Sequence, residues 1–419
     1  MMVAIVSGAD TAWLLIAAAL VLFMTPGLAL FYGGMVRGKN VLAMLMQNFF
    51  AMGLISVLWA IAGFSLAFGG KNSWIGDLSL AGLKGLFRSG AEIPGFGSAL
   101  TVAPLAFVAY QMMFAVITPA LITGATADRW KFSAYAVFIG VWSILVYSTV
   151  AHWVFSPNGW LYKRGALDFA GGTVVHVNAG IAALMVVLVL GKRRGWPHEA
   201  MLPHNLPFTL LGTGILWFGW FGFNAGSSLG ANGIAAQAFL NTHLAAAAGM
   251  LGWLSVEKLK TGHATTLGAA SGAVAGLVAI TPCAGYVGGM APIAIGFVTG
   301  GICLLAVSLK SKFGYDDSLD VIGVHLVGGV LGSLLLGLFA DRRINAGGHD
   351  GMFFGGGFTL MSNQLIAVGA TLLFSGAVSY VLAIVIDKTL GMRVSADDEA
   401  QGLDLALHSE TAYVSSFRI

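Results

Sequence analysis

The chain has 419 residues, 57% of them hydrophobic and only 9% charged, against about 25% charged in an ordinary soluble domain, so its apolar surface exceeds what a water-soluble core can hide. Its apolar runs are each long enough to cross a hydrocarbon layer of about 30 Å, and at that length they form helices, which satisfy their own backbone groups, rather than barrel strands. A net charge of +3 and two cysteines, Cys283 and Cys303, without metal-ligand spacing point away from a nucleic-acid partner, a disulfide framework and a metal centre. The expected fold is an all-α integral membrane protein.

The start, Met1-Met-Val-Ala-Ile-Val-Ser-Gly-Ala-Asp10, has no basic segment and leads straight into an apolar run. That predicts a retained first helix rather than a cleaved signal peptide. Eleven transmembrane helices are predicted, over 11–34, 41–68, 98–123, 131–153, 169–190, 204–225, 231–255, 264–281, 286–309, 321–341 and 364–387. A membrane domain of 1–387 is thus followed by a polar tail, 388–419. With the loops on alternating sides, fourteen of the 21 Lys and Arg residues share the side of the tail, from Arg37 and Lys39 to Lys388, Arg393 and Arg418. The excess predicts a cytoplasmic tail, an outer N-terminus and a multi-pass protein of the cell's inner (cytoplasmic) membrane.

The 59 glycines include small-residue spacings, Gly268 to Gly276 and Gly323 to Gly332, that let helix backbones approach closely. Two glycine-rich stretches, 69–97 and 341–363, read as surface loops.

The fifth and tenth predicted helices each open on an acid followed by a histidine: Asp168 with His176, and Asp320 with His325. Lying five spans apart, they cross in opposite directions, as expected of an inverted repeat of helices 1–5 (about 11–190) and 6–10 (about 204–341), with the eleventh helix outside it. An ionisable side chain in hydrocarbon costs about 2.5 kcal/mol or more, so each histidine calls for a partner. Helix counting alone leaves the two imidazoles about 10 Å or more apart along the membrane normal. Contact requires the fifth helix to start below the membrane surface, which Asp168 followed by small residues permits as a sunken N-cap. Asp320 is expected to cap the tenth helix in the same way. His204, His243, His263, His349 and His408 read as loop, cap or interfacial residues rather than metal ligands.

A third constellation is aromatic: Phe107, Tyr110 and Phe114 in the third helix, and Trp217, Phe218, Trp220, Phe221 and Phe223 in the sixth, followed by Asn224-Ala-Gly-Ser227. Ring faces with one hydroxyl suit a small cation. At this point the residues resemble the ammonium transporters of the Amt, methylammonium permease and Rh superfamily, in its bacterial Amt branch. The resemblance rests on Thr25-Pro-Gly-Leu-Ala-Leu-Phe-Tyr-Gly-Gly-Met-Val-Arg37, Asp168-Phe-Ala-Gly-Gly-Thr-Val-Val-His-Val-Asn178, Gly219-Trp-Phe-Gly-Phe-Asn-Ala-Gly-Ser227 and Asp320-Val-Ile-Gly-Val-His325. The tail, from Gly391-Met-Arg-Val-Ser to Gly402-Leu-Asp-Leu, is similar as well.

The resemblance implies a homotrimer whose protomers each carry a pore for ammonium or ammonia, with methylammonium a further candidate, and neither cofactor nor enzymatic activity. His176 and His325 match the family's pore histidines, and Phe114 and Phe223 its stacked phenylalanine gate. Ser227 and Phe114 match members of an outer recruitment site, and Asp168 matches the acid that supports it. The third wall of that site is usually tryptophan; in Ala151-His-Trp-Val-Phe155 the position falls to Phe155, unless Trp153 or Trp160 takes its place through a different loop path. Two smaller departures are Ala127-Asp128-Arg129, where the family commonly has Glu before Arg, and Tyr147-Ser148-Thr149, where an acid is usual.

Two other classes are weighed against a transporter. A sensor of ammonium on the same scaffold is favoured by Phe155 and disfavoured by a short tail. A membrane metalloenzyme lacks a third and fourth ligand at usable spacing. The tail's acid-rich Ser395-Ala-Asp-Asp-Glu399 reads as a solvated terminus, whereas its family likeness implies packing on the inner face, where a trimeric PII-type nitrogen signal protein would dock.

Overall fold

The computed structural model describes residues 6–88 and 90–413. Met1 to Ile5 of the expected retained start, Ser89 in the glycine-rich loop and Arg418 in the charge asymmetry lie outside them. Among the described residues there is no strand, only one isolated bridge between Trp130 and Arg393. Among the described residues ten helices are long and apolar enough to span a membrane: α1 Gly8–Met35, α2 Gly38–Phe68, α3 Pro104–Thr126, α4 Phe132–Arg164, α5 Gly172–Leu190, α6 Leu206–Ser228, α7 Gly233–Thr261, α9 Ala291–Phe313, α10 Ile322–Phe339 and α11 Thr359–Leu390. Between α7 and α9 lies the shorter apolar helix α8, Thr266–Ile280. Two short helices, α12 (Ala396–Gln401) and α13 (Leu403–His408), form the tail.

Local chemistry sets the helix starts. Ser7, Asn205, Asn232 and Thr265 each accept a backbone N–H of the first turn, at α1, α6, α7 and α8 respectively, satisfying donors that a helix end leaves open. The expected close packing is present at the small-residue stripes. A Cβ on Gly300 or Gly296 would collide with the α7 backbone at Gly249 or Ala245, and one on Gly332 with the Ala279 carbonyl. Helices α7, α8, α9 and α10 therefore meet nearly backbone to backbone.

Four π-helical turns interrupt the spans, at Trp59–Gly63, Ser143–Tyr147, Gly172–Val177 and Ile322–Leu326. The last two begin α5 and α10 and carry the two histidines. Such turns are rare, and they concentrate at functional positions. Helix α4 runs past its expected end at 153 to Arg164, with a break after Phe155.

The tail is not a solvated terminus. The Leu403 N–H donates to Asn40 Oδ1 at 2.8 Å, Asp404 Oδ1 accepts the Ala43 N–H at 2.8 Å, and Arg393 pairs with Glu399 at 2.6 Å. Val394 N–H reaches the Arg129 carbonyl and Met392 accepts from Lys131 N–H. Two of the tail's acids, Glu399 and Asp404, are buried against Arg393 and the Ala43 N–H, which composition alone cannot distinguish from water-facing acids.

Candidate transport pathway

Asp168 does what its sequence position suggests. One carboxylate oxygen accepts the N–H groups of Gly171 and Gly172 at 2.8 and 2.7 Å, the other those of Thr173 and Val174 at 2.8 and 3.1 Å. Burial raises its pKa, and the four backbone donors oppose that rise,. The cap lets α5 begin within the protein, so that the π-turn drops His176 toward the centre.

The tail-side cap is a different residue from the one expected. Asp320 donates nothing to and accepts nothing from the first turn of α10 through its side chain; Asp317 caps it instead, accepting Val321 N–H at 3.1 Å and Ile322 N–H at 2.7 Å. Asp320 pairs with Lys310 Nζ at 2.5 Å. The physical reason is register: Asp317 precedes His325 by the same interval as Asp168 precedes His176, so the two acids cap two π-turns of identical phase. Burial, then the neighbouring Asp320 charge, pushes Asp317 up to about 6.

With both helices sunk from opposite sides, the histidines meet. Their Nδ1 atoms lie 3.2 Å apart and their ring centroids 5.3 Å apart at 24°. Each Nδ1 can donate to the other only if one carries the proton, so the tautomer of one ring fixes that of its neighbour. Both imidazoles are buried, and among the described residues His176 Nε2 has no hydrogen-bond partner. Trp220 stacks on His176 at 5.4 Å and 20°, its indole N–H donating to Thr281 Oγ1 at 2.9 Å. Its aromatic run was visible in the sequence, but its stacking on His176 was not, because the run's helical phase relative to α5 is a tertiary fact.

Around the pair is a cavity of about 10 Å³ lined by Leu28, Ile117, Val175, Leu216 and Val274 besides His176, Trp220, Phe223 and His325. That is room for about one water-sized molecule, and its walls are otherwise apolar. Toward the side opposite the tail, Phe114 and Phe223 stack with centroids 4.2 Å apart at 28°. Beyond them opens a cavity of about 310 Å³, lined by Phe114, Phe155, Asp168, Ser227 and His349 among others. Phe155 stands edge-on to Phe114 at 6.5 Å and 89°. Ser227 donates to the Phe223 carbonyl at 2.9 Å, and Tyr110, whose hydroxyl donates to the same carbonyl at 2.7 Å, lies 3.1 Å from Ser227 Oγ.

Neither alternative tryptophan reaches this cavity. Trp153 packs on Phe374 at 4.8 Å and donates to the Trp74 carbonyl, while Trp160 lies on Trp74 at 5.3 Å. Of these three aromatics only Phe155 lines the cavity. His152, which sequence reading passed over, is fully buried with its ring nitrogens 2.8 and 2.7 Å from the carbonyls of Ala67 and Asn72, tying the long loop to α4. On the tail side a third cavity, about 180 Å³, is lined by Arg37, Asp128, Arg193, Lys310 and Asp320 among others. Among the described residues no three His, Cys, Asp or Glu side chains converge as metal ligands would.

Comparison with known proteins gives one answer. A sequence model described as the Ammonium Transporter Family matches residues 12–413. An ammonium transporter of Mycobacterium tuberculosis is 51% identical, over 97% of this chain and 90% of its own length. One of Bacillus subtilis is 48% identical over 97% of this chain and 99% of its own length. Among solved structures, Saccharomyces cerevisiae Mep2 superposes with a TM-score of 0.87 at 37% identity, over 94% of this chain and 88% of that one. A protein described as a sensor Amt protein gives a TM-score of 0.86 at 28% identity, over 96% of this chain and 98% of that one. A family match across nearly the whole chain, with relatives of this similarity, is decisive: the chain belongs to the ammonium transporter family.

Proposed function

We propose that the protein carries ammonium across the cytoplasmic membrane by stripping its proton at the mouth opposite the tail, passing ammonia through the apolar constriction, and relaying the proton along His176 and His325. The observation that carries this reading is the order of the cavities: about 310 Å³, the Phe114–Phe223 stack, about 10 Å³ around the histidine pair, then about 180 Å³. Ammonium is a compact cation that meets a large desolvation cost in such a constriction, whereas neutral ammonia meets little. Potassium has no proton to give up and is rejected by the same barrier.

In this reading Phe114, Phe155 and Ser227 recruit the cation, Asp168 shapes the site without touching it, and Phe114 with Phe223 forms the gate. Helix α8 is an eleventh span: nearly all its residues are buried by neighbouring helices, so protein rather than lipid surrounds its short length. Helices α1–α5 and α6–α10 form the inverted halves. The side rich in Lys and Arg, with the tail, faces the cytoplasm. The working unit is a homotrimer, and the ordered tail offers a docking face to a trimeric PII-type signal protein. Truncation after Lys388 is expected to abolish inhibition by such a protein in a proteoliposome flux assay; unchanged flux and inhibition would remove the tail from the scheme.

Phe155 favours one second reading, an ammonium sensor with little transport. Currents on supported membranes, with ammonium against potassium, separate the two: a transporter responds to ammonium alone, a sensor to neither. Phe155→Trp is expected to lower the half-saturating ammonium concentration by about 2- to 5-fold, the worth of a stronger cation–π face at about 0.5–1 kcal/mol. A wild type without ammonium flux overturns transport.

A further inference from the structure

The matched π-turns allow each residue at the start of α10 to be read against its counterpart in α5, and one position is unequal. Three residues after the capping Asp168 comes Gly171, in the left-handed region at φ 116; three after the capping Asp317 comes Asp320, left-handed at φ 66. Glycine adopts such a conformation freely, whereas a residue with a Cβ meets a steric penalty there, smaller for aspartate than for most. A glycine would serve the backbone at 320 as it does at 171, so what aspartate adds there is a carboxylate, paired with Lys310 and set at the tail-side cavity. Strain of this kind collects where a side chain has a task.

That task is not capping, which Asp317 performs. The Asp320 carbonyl accepts Val324 N–H at 2.9 Å, a bond that glycine would make equally well. The carboxylate itself lines the tail-side cavity of about 180 Å³ beside Arg37, Asp128, Arg193 and Ser318. Its Oδ1 is held by Lys310 Nζ, which also donates to the Asp317 carbonyl at 3.0 Å. Among the described residues Oδ2 has no protein partner, and the side chain is 28% exposed. His325 follows five residues later, about 7.5 Å along the helix axis at roughly 1.5 Å per residue; it lines the central constriction and Asp320 the tail-side cavity.

We propose that Asp320 is the terminal acceptor of the proton relay, receiving on Oδ2 the proton that leaves the histidine pair and handing it to water in the tail-side cavity. The inference rests on the relay reading above. The protonated pair gives up one ring N–H, whose bonding electrons return to the ring, and an O–H bond forms on the carboxylate, through bridging water. Lys310 stays on Oδ1 throughout. The proton then passes to cavity water and the carboxylate returns to its ion pair, so the one proton taken from ammonium at the far mouth is the one released on the tail side.

The test uses the full-length protein in proteoliposomes on supported membranes, with flux and melting measured on the same preparations. Asp320→Gly, which relieves the left-handed backbone but removes the Lys310 ion pair, is expected to stay folded yet to lose at least 10-fold of the maximal ammonium-evoked current. The half-saturating ammonium concentration, set at the far mouth, stays unchanged. Asp320→Asn, which keeps the shape but not the proton acceptor, falls to the same level, and Asp320→Glu recovers part of the current. Wild-type current in Asp320→Asn overturns the proposal whether or not Asp320→Gly folds. Wild-type flux without any current, or current surviving loss of both histidines, overturns the relay and this proposal with it. A silent double-histidine variant alongside a fully active Asp320→Asn overturns Asp320 alone.

Discussion

The His176→Ala, His325→Ala double variant is expected to lose ammonium-evoked current by on the order of 100-fold or more, the scale on which positioned proton-transfer groups act. The two Nδ1 atoms stand 3.2 Å apart in an otherwise apolar constriction, and among the described residues no other titratable side chain lines that cavity. Removing both rings leaves the proton without a carrier between the two larger cavities, while the bare ion still faces the desolvation barrier. The backbone caps at Asp168 and Asp317 do not involve the imidazoles, so the helix starts survive. Measuring current on supported membranes, alongside melting of the same variant, separates loss of relay from loss of fold. A folded double variant with wild-type current would remove the histidines from charge movement altogether.

The outline of the fold was legible because hydrocarbon thickness imposes a minimum run of apolar residues, and ten of the predicted spans coincide with long apolar helices. The ends were less legible. Helix α11 begins at Thr359 rather than 364, and α4 continues to Arg164, because amphipathic turns above the hydrocarbon carry no hydropathy signal. The misassigned cap shows a sharper limit. In Asp316-Asp317-Ser-Leu-Asp320 three acids precede His325, and choosing among them requires the phase of the π-turn, which arises from packing rather than propensity. Asp320 is the acid nearest the predicted helix start, whereas Asp317 stands at the interval from its histidine that Asp168 keeps from His176. Trp220 was hidden for a related reason: periodicity says that an aromatic run lies on a helix, but not which ring meets an imidazole on another.

Asp316→Ala is expected to cost about 3–5 kcal/mol of stability, the scale on which removing one partner of a buried ion pair acts. Asp316 is fully buried and accepts the Arg193 backbone N–H at 2.7 Å, its Nε–H at 2.9 Å and its Nη2–H at 2.8 Å. Arg129 Nη1 lies 3.9 Å from the same carboxylate. Burial alone would raise the Asp316 pKa, but the Arg193 hydrogen bond and the two guanidinium charges outweigh it and hold the carboxyl below its ordinary value. A depressed folded pKa means that this stabilisation is complete above the unfolded value of about 4 and is lost as pH falls through the folded one. Alanine leaves two buried guanidinium groups facing each other at any pH. Arg129 also supplies the carbonyl that anchors Val394, so the tail is released with the cluster, and residues 390–413 become cleavable in limited proteolysis. A paired Asp316→Leu, Arg193→Met variant recovers part of the loss, because it removes a charge together with its partner. If Asp316→Ala melts within about 1 kcal/mol of wild type and keeps its tail protected, the cluster is a solvated surface network of the kind that contributes little, and the tail is held by its contacts to Asn40 and Ala43 instead.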